Sequence, residues 1–88
     1  MYYMYVLANE EGKIYIGYTK DLKRRISEHK YGDGYTKRGS SNWQLCYYEA
    51  FNSKKDAFRR EQSLKKSSQA RRWLKERIKE SIQLHRKS

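Results

Sequence analysis

The chain contains no proline and a single cysteine, and its acidic residues number 10 against 21 Lys+Arg. One thiol, Cys46, can neither close an internal disulfide nor furnish a multi-cysteine zinc site. No apolar run approaches the roughly 18 residues that a membrane-spanning helix needs. The N-terminal Met1-Tyr2-Tyr3-Met4-Tyr5 has no basic lead-in, so no secretory signal is expected. No repeat or linker divides the 88 residues. One small domain with one modest core is expected over 1–84, followed by a frayed basic tail at 85–88.

What is present is charge and tyrosine. Aromatics make up 15% of the chain, nine of them Tyr, which argues against a disordered basic tail. The net charge of +11 makes a polyanion the default partner, most often nucleic acid. The excess is uneven. Residues 1–51 carry eight basic and six acidic groups, and residues 52–88 carry thirteen and four, so the second stretch is the expected footprint for phosphates. It lacks the wide apolar face of a helix that lies on a membrane. A folded cytoplasmic domain is the reading.

Tyr2 to Leu7 is a continuous apolar run and reads as a strand covered on both faces. Asn9-Glu10-Glu11-Gly12 is turn chemistry, and Lys13 to Thr19 completes an antiparallel hairpin. Gly17 inside the second strand marks a bulge or a close approach by backbone or ligand. Asp21 to about Tyr31 reads as a helix capped by Thr19 or Asp21. A loop follows over 32–42, then a third strand from Trp43 to Phe51. Ser53 and Asp56 stand three apart like a capping box and start a helix to about Lys66. Ser67-Ser68 break it, and one more helix is expected from Gln69 to about Leu84. The order β-β-α-β-α-α gives an α+β domain with a small three-stranded antiparallel sheet flanked by helices.

Polar residues fall where apolar ones belong. On the first helix Leu22 and Ile26 define the inward stripe, and Arg25 and His29 share it. On the second, Glu61 lies beside Ala57 and Leu64. Charges in such places are rare unless paired or functional. An Arg25–Glu61 ion pair that only fixes the packing is one account; a cleft carrying an anion-binding Arg, a His and a metal-binding carboxylate is the other. Helical spacing alone leaves both open. Tyr5 and Tyr15 sit on neighbouring strands, either paired or as near neighbours.

The ordered set Tyr3-Met4-Tyr5, Tyr15-Ile16-Gly17, Asp21-Leu22-x-x-Arg25-x-x-x-His29, Tyr47-Tyr48-Glu49-Ala50, Ala57-x-x-x-Glu61-x-x-Leu64-Lys65 and Arg72-Trp73-Leu74-Lys75-x-Arg77 resembles the GIY-YIG nuclease domain. It is similar to the small stand-alone bacterial members related to the N-terminal nuclease domain of the excision-repair incision subunit. Tyr3-Met4-Tyr5 stands in for the family's Gly-Ile-Tyr and keeps its last Tyr. The resemblance implies metal-dependent hydrolysis of DNA phosphodiesters, structure- or weakly sequence-selective, in repair or recombination. It implies Tyr5, Tyr15, Arg25, His29 and Glu61 as catalytic residues, with Glu61 as the ligand of Mg²⁺ or Mn²⁺.

Those residue types suit the reaction. A single carboxylate can hold a hard cation that keeps most of its waters. Arg25 offers a permanently charged fork for a nonbridging phosphate oxygen. The resemblance makes Tyr5 the base, with Tyr15 or His29 assisting the proton's exit; an ordinary phenol titrates at about 10, so His29 is the simpler base on pKa grounds and stays the alternative. Arg25 and a cation would have to pull the phenol's value down. Gly17 is expected to let substrate approach, and Lys65, Lys66, Arg71, Arg72 and Lys75 to hold phosphates without reading sequence. DNA is the expected partner of a monomeric chain, with room for a protein partner that supplies specificity. A non-catalytic nucleic-acid-binding module and a purely structural domain are the competing readings.

Overall fold

The hairpin that opens the chain is held at its turn by one side chain. Asn9 is buried, and its Oδ1 accepts hydrogen bonds from the backbone N–H of Glu11 at 3.0 Å and of Lys13 at 2.9 Å. Gly12 closes the turn at φ +83°, a left-handed conformation that costs glycine nothing. The computed structural model describes residues 1–30, 43–84 and 86. Within them the elements are β1 (Tyr2–Ala8), β2 (Ile14–Thr19), α1 (Leu22–Lys30), β3 (Gln44–Phe51), α2 (Lys54–Lys66), α3 (Ser68–Arg77) and α4 (Lys79–Gln83). The loop expected over 32–42 lies outside the described residues.

The three strands form one antiparallel sheet in the order β2-β1-β3. The central position of β1 explains its unbroken apolar run, since Met4 to Ala8 are all buried. Register then sorts the side chains. Val6 faces Ile16 and Tyr47, whereas Tyr5 faces Gly17 and Tyr48. Pairing with β2 runs without interruption, so Gly17 marks no bulge; the irregularity lies between β1 and β3, where the register shifts after Val6. Met4, Val6, Ala8 and Ile16 pack against Leu64, Leu74, Ile78 and Ile82 to form the core.

The helix starts follow the capping chemistry. Asp21 Oδ1 accepts from Arg24 N–H at 3.1 Å, while Thr19 Oγ1 holds Asp21 N–H at 3.0 Å, so Asp21 caps α1 and Thr19 secures the cap. Ser53 caps α2 by accepting from Asp56 N–H. Ser67 ends α2 and caps α3 through Ala70 N–H at 3.1 Å.

The single helix expected from Gln69 to Leu84 is two helices. The chain leaves helical geometry at Ile78, with φ −114° and ψ 24°. Leu74, Ile78 and Ile82 are all buried, spaced by four. On a straight helix that spacing drifts by roughly 40° per step, so a change of direction at Ile78 serves to keep Ile82 on the core. Of the tail, Arg86 is described: its side chain lies over Gly12.

Candidate active site

Tyr5 is 1% exposed and points to the face of the sheet opposite the helix-packed core. Its cross-strand partner is Gly17. A Cβ on Gly17 would stand 2.4 Å from both Cζ and Oη of Tyr5. The phenol therefore lies directly across the glycine, and the space there is taken by this ring and not by the backbone or ligand expected. Tyr15 pairs with Leu7 and so sits diagonally from Tyr5 on the same face. The two rings are 6.4 Å apart, centroid to centroid, and tilted by 40°.

Charged groups from two helices reach the same phenol. Burial, the largest influence, pushes the Tyr5 hydroxyl well above its usual range; the neighbouring Tyr15 adds to this, Arg25 opposes it, and Glu61 and Glu28 push upward again. Arg25 pulls the Tyr5 hydroxyl downward as expected, but burial and nearby negative charge outweigh this one guanidinium. Four chain-distant residues nonetheless share one neighbourhood: Tyr5 of β1, Tyr15 of β2, Arg25 of α1 and Glu61 of α2. His29 lies one turn beyond Arg25 on α1, and its side chain falls outside the described residues.

Arg25 is half-buried, as its place beside Leu22 and Ile26 foretold. Its Nε approaches Glu28 Oε1 at 3.5 Å, close enough for attraction. The geometry is not that of a hydrogen bond, and this buried N–H has no acceptor among the described residues. Such a donor is costly to leave unmet. Glu61 is buried at 6% exposure; its Oε2 meets Lys65 Nζ at 2.8 Å, and its Oε1 accepts from Gln62 Nε2 at 2.7 Å. Arg25 therefore pairs with Glu28 and Glu61 with Lys65. The Arg25–Glu61 pair on which the purely structural reading rests is not formed.

The chain belongs to the GIY-YIG family. The family model described as the GIY-YIG catalytic domain matches residues 1–77. A UPF0213 protein of Halobacterium salinarum is 43% identical over 74 residues, covering 82% of this chain and 95% of that one. A UPF0213 protein of Streptococcus agalactiae serotype V is 49% identical over 68 residues, covering 75% and 76%. The solution NMR structure of a UPF0213 protein from Bacillus halodurans superposes with a TM-score of 0.54 at 36% identity, over 84% of this chain and 82% of that one. The GIY-YIG domain is a nuclease domain, which implies DNA binding.

The donor set fits one hard cation and no cage. Among the described residues no three His, Cys, Asp or Glu side chains gather as ligands. Glu61 alone offers a buried carboxylate near the phenols. That suits an ion such as Mg²⁺, which is commonly bound through one or two carboxylates together with substrate phosphates.

A hollow of about 370 Å³ adjoins Tyr15, lined also by Ile14, Ile16, Lys65 and Arg71. Of the cations expected to hold phosphates, Lys65, Lys66, Arg72 and Lys75 are exposed. Arg71 is committed elsewhere: its Nη1 donates to the carbonyls of Leu64 at 2.8 Å and Lys65 at 2.7 Å, capping the end of α2. No helix of the described residues is long and apolar enough to cross a membrane.

Three contributors escaped the sequence reading. Glu28 is three residues from Arg25, a spacing that could have flagged it. Trp43 meets Tyr15 edge-on at 6.4 Å, and its buried Nε1 has no acceptor among the described residues. Arg60 grips Glu49 through two bonds, at 3.0 and 3.1 Å, while Tyr47 donates to the same carboxylate at 2.8 Å. Nothing in local spacing links Arg60 to Glu49, which are joined only once β3 and α2 are packed.

Proposed function

We propose that the chain is a divalent-metal-dependent endonuclease that hydrolyses DNA phosphodiester bonds, structure- or weakly sequence-selective, acting in the cytoplasm as a monomer in repair or recombination. The supporting observation is that Tyr15 of β2, Arg25 of α1 and Glu61 of α2 all act on the buried phenol of Tyr5 in β1. The resemblance of the motifs to those of the nuclease domain of excision-repair incision subunits points the same way. A protein partner would supply further specificity.

Glu61 would hold Mg²⁺ or Mn²⁺, which supplies Lewis-acid stabilisation of charge on a phosphate oxygen and on the leaving 3′ oxygen. Arg25 donates its unmatched Nε–H to a nonbridging phosphate oxygen, a bond that strengthens as charge builds there. Burial and the neighbouring negative charge favour the protonated Tyr5 phenol in the metal-free chain. Tyr5 therefore works as a relay: Oη takes the proton of the attacking water as it passes its own to His29. His29 suits that end of the relay, since an imidazole titrates near neutrality. Tyr15 steadies the Tyr5 ring, and Gly17 leaves the space that the ring occupies. Lys65, Lys66, Arg72 and Lys75 hold flanking phosphates, while Arg71, in the wall of the hollow, keeps the end of α2 in place through the Leu64 and Lys65 carbonyls.

The competing reading, a binding module without turnover, draws on the neutralisation of Glu61 by Lys65 and Gln62. Plasmid, flap, branched and single-stranded DNA, each with and without Mg²⁺, separate the two. Glu61→Gln is expected to lower cleavage by roughly 10³-fold or more with no loss of DNA binding. Cleavage that survives this substitution unchanged would come from another nuclease in the preparation and would end the proposal.

A further inference from the structure

Lys65 stands between two parts of the site. Its ammonium is 2.8 Å from Glu61 Oε2, a carboxylate only 8% exposed, yet the lysine side chain itself is 47% exposed. The same residue lines the hollow beside Tyr15 and Arg71. Its backbone cannot wander, because Arg71 caps the Lys65 carbonyl. The flexible stem is what can move: anchored at one end, it allows the ammonium either to lie on Glu61 or to swing into the hollow. Glu–Lys pairs four apart on a helix are commonplace on exposed surfaces. This one differs because its acid is buried within the field of Tyr5.

We propose that Lys65 is the resident counter-ion of Glu61, and that its release couples cation binding at that carboxylate to DNA-backbone binding in the adjoining hollow. The inference rests on the reading of Glu61 as the cation ligand. Glu61 Oε2 cannot serve an ammonium and a dication at once, so Lys65 gives way when a cation is held. The freed ammonium then faces the hollow, where a phosphate is its natural partner. Coupling of this kind is reciprocal: whatever the cation does for DNA affinity, DNA does for cation affinity. Lys65 acts through Glu61 and the DNA backbone and is a positioning residue, not a catalytic one.

The test uses the full chain and two readouts that need no turnover. Mn²⁺ binding without DNA is measured by electron paramagnetic resonance for wild type and Lys65→Met. Removal of the competing ammonium is expected to tighten Mn²⁺ about fivefold, the upper end for a pair with one solvent-facing partner. Unchanged or weaker Mn²⁺ binding overturns the proposal. DNA affinity is then measured in chelator over a salt series. Glu61→Gln sets Lys65 free, so its affinity is expected to exceed wild type, with a log–log salt slope steeper by about one. In a Lys65→Met background the same Glu61→Gln change is expected to gain nothing. An equal gain there would mean that loss of one negative charge acts on DNA at large, and the coupling would be refuted. Absence of Mn²⁺ binding by wild type and Lys65→Met alike would instead bring down Glu61 as a cation ligand, and the coupling with it. The chelated series is independent of that outcome and reports on the release of Lys65 alone.

Discussion

The two faces of the sheet draw on the same strand and do opposite things with it. Even-numbered residues of β1, Met4, Val6 and Ala8, meet Ile16, Leu64, Leu74, Ile78 and Ile82. Odd-numbered ones, Tyr5 and Leu7, face the other way and are equally buried, at 1% each. Burial is matched, but the company is not. One face answers apolar surface with apolar surface, which is stabilising and chemically silent. The other surrounds a phenol with a guanidinium, two carboxylates and a second phenol, an arrangement that stability alone does not call for. A direct way to break the contrast is Leu74→Ala. Leu74 is 2% exposed in the packed face, and its truncation is expected to cost about 3 kcal/mol in chemical denaturation. Cleavage per folded molecule should be untouched; a matching fall in catalytic rate would show that the faces are not separable.

The opposite outcome is expected one strand away. Gly17→Ala adds a single methyl where Cζ and Oη of Tyr5 already stand 2.4 Å off, and Tyr5 must leave. A loss of cleavage on the order of 100-fold should accompany about 2 kcal/mol of overpacking strain. Kinetics per folded molecule and a denaturation curve measure the two effects separately. Full activity in the Gly17→Ala variant would remove Tyr5 from the mechanism.

Much of this contrast was legible in the sequence. The continuous apolar run from Tyr2 to Leu7 announced a strand covered on both faces, and the stripe positions of Arg25 and Glu61 announced polar groups in buried places. The ordered motifs then told which of the two accounts to favour. What the sequence withheld is what depends on packing in three dimensions. The partner of Glu61 is its own helical neighbour Lys65, and Arg25 is drawn to Glu28, so local pairs outcompeted the long-range one. The bend at Ile78 has no glycine or proline to signal it; it follows from the demands of a core that the linear pattern cannot place. The sign of the shift on Tyr5 needed the depth of its burial.

That sign can be read out directly. Tyr5 titrates higher in the folded chain than its ordinary value of 10.0, so the fold holds its proton when the unfolded chain gives it up. Its contribution is fully present below that value and is lost as pH rises through and beyond it. Cys46, on the helix-packed side, behaves alike: burial pushes its thiol up to about 11 from 9.0. Wild type should therefore destabilise steeply above about pH 9. Tyr5→Phe should flatten the upper part of that fall, and Cys46→Val the lower part. Denaturation midpoints across the alkaline range give the measurement. A Tyr5→Phe curve parallel to wild type would mean that the phenol is not held by burial.

The smallest expected effect concerns the second ion-paired acid. Glu49 and Glu61 each face a basic partner from α2, but the holds differ. Arg60 makes two bonds to Glu49, which also accepts from Tyr47; Lys65 offers Glu61 one mobile ammonium. A rigid fork suits a permanent joint between β3 and α2, whereas a point charge on a flexible stem suits an exchangeable partner. Arg60 is 34% exposed, so water screens much of the pair's attraction. Arg60→Met keeps the aliphatic packing and should cost about 1 kcal/mol, on the order of 5 °C in Tm. Mn²⁺ affinity and cleavage should stay at wild-type levels, because Glu49 is tied to the joint and not to the phenols. A marked change in either would mean that the joint sets the height of Glu61, and that the two carboxylates work as one system.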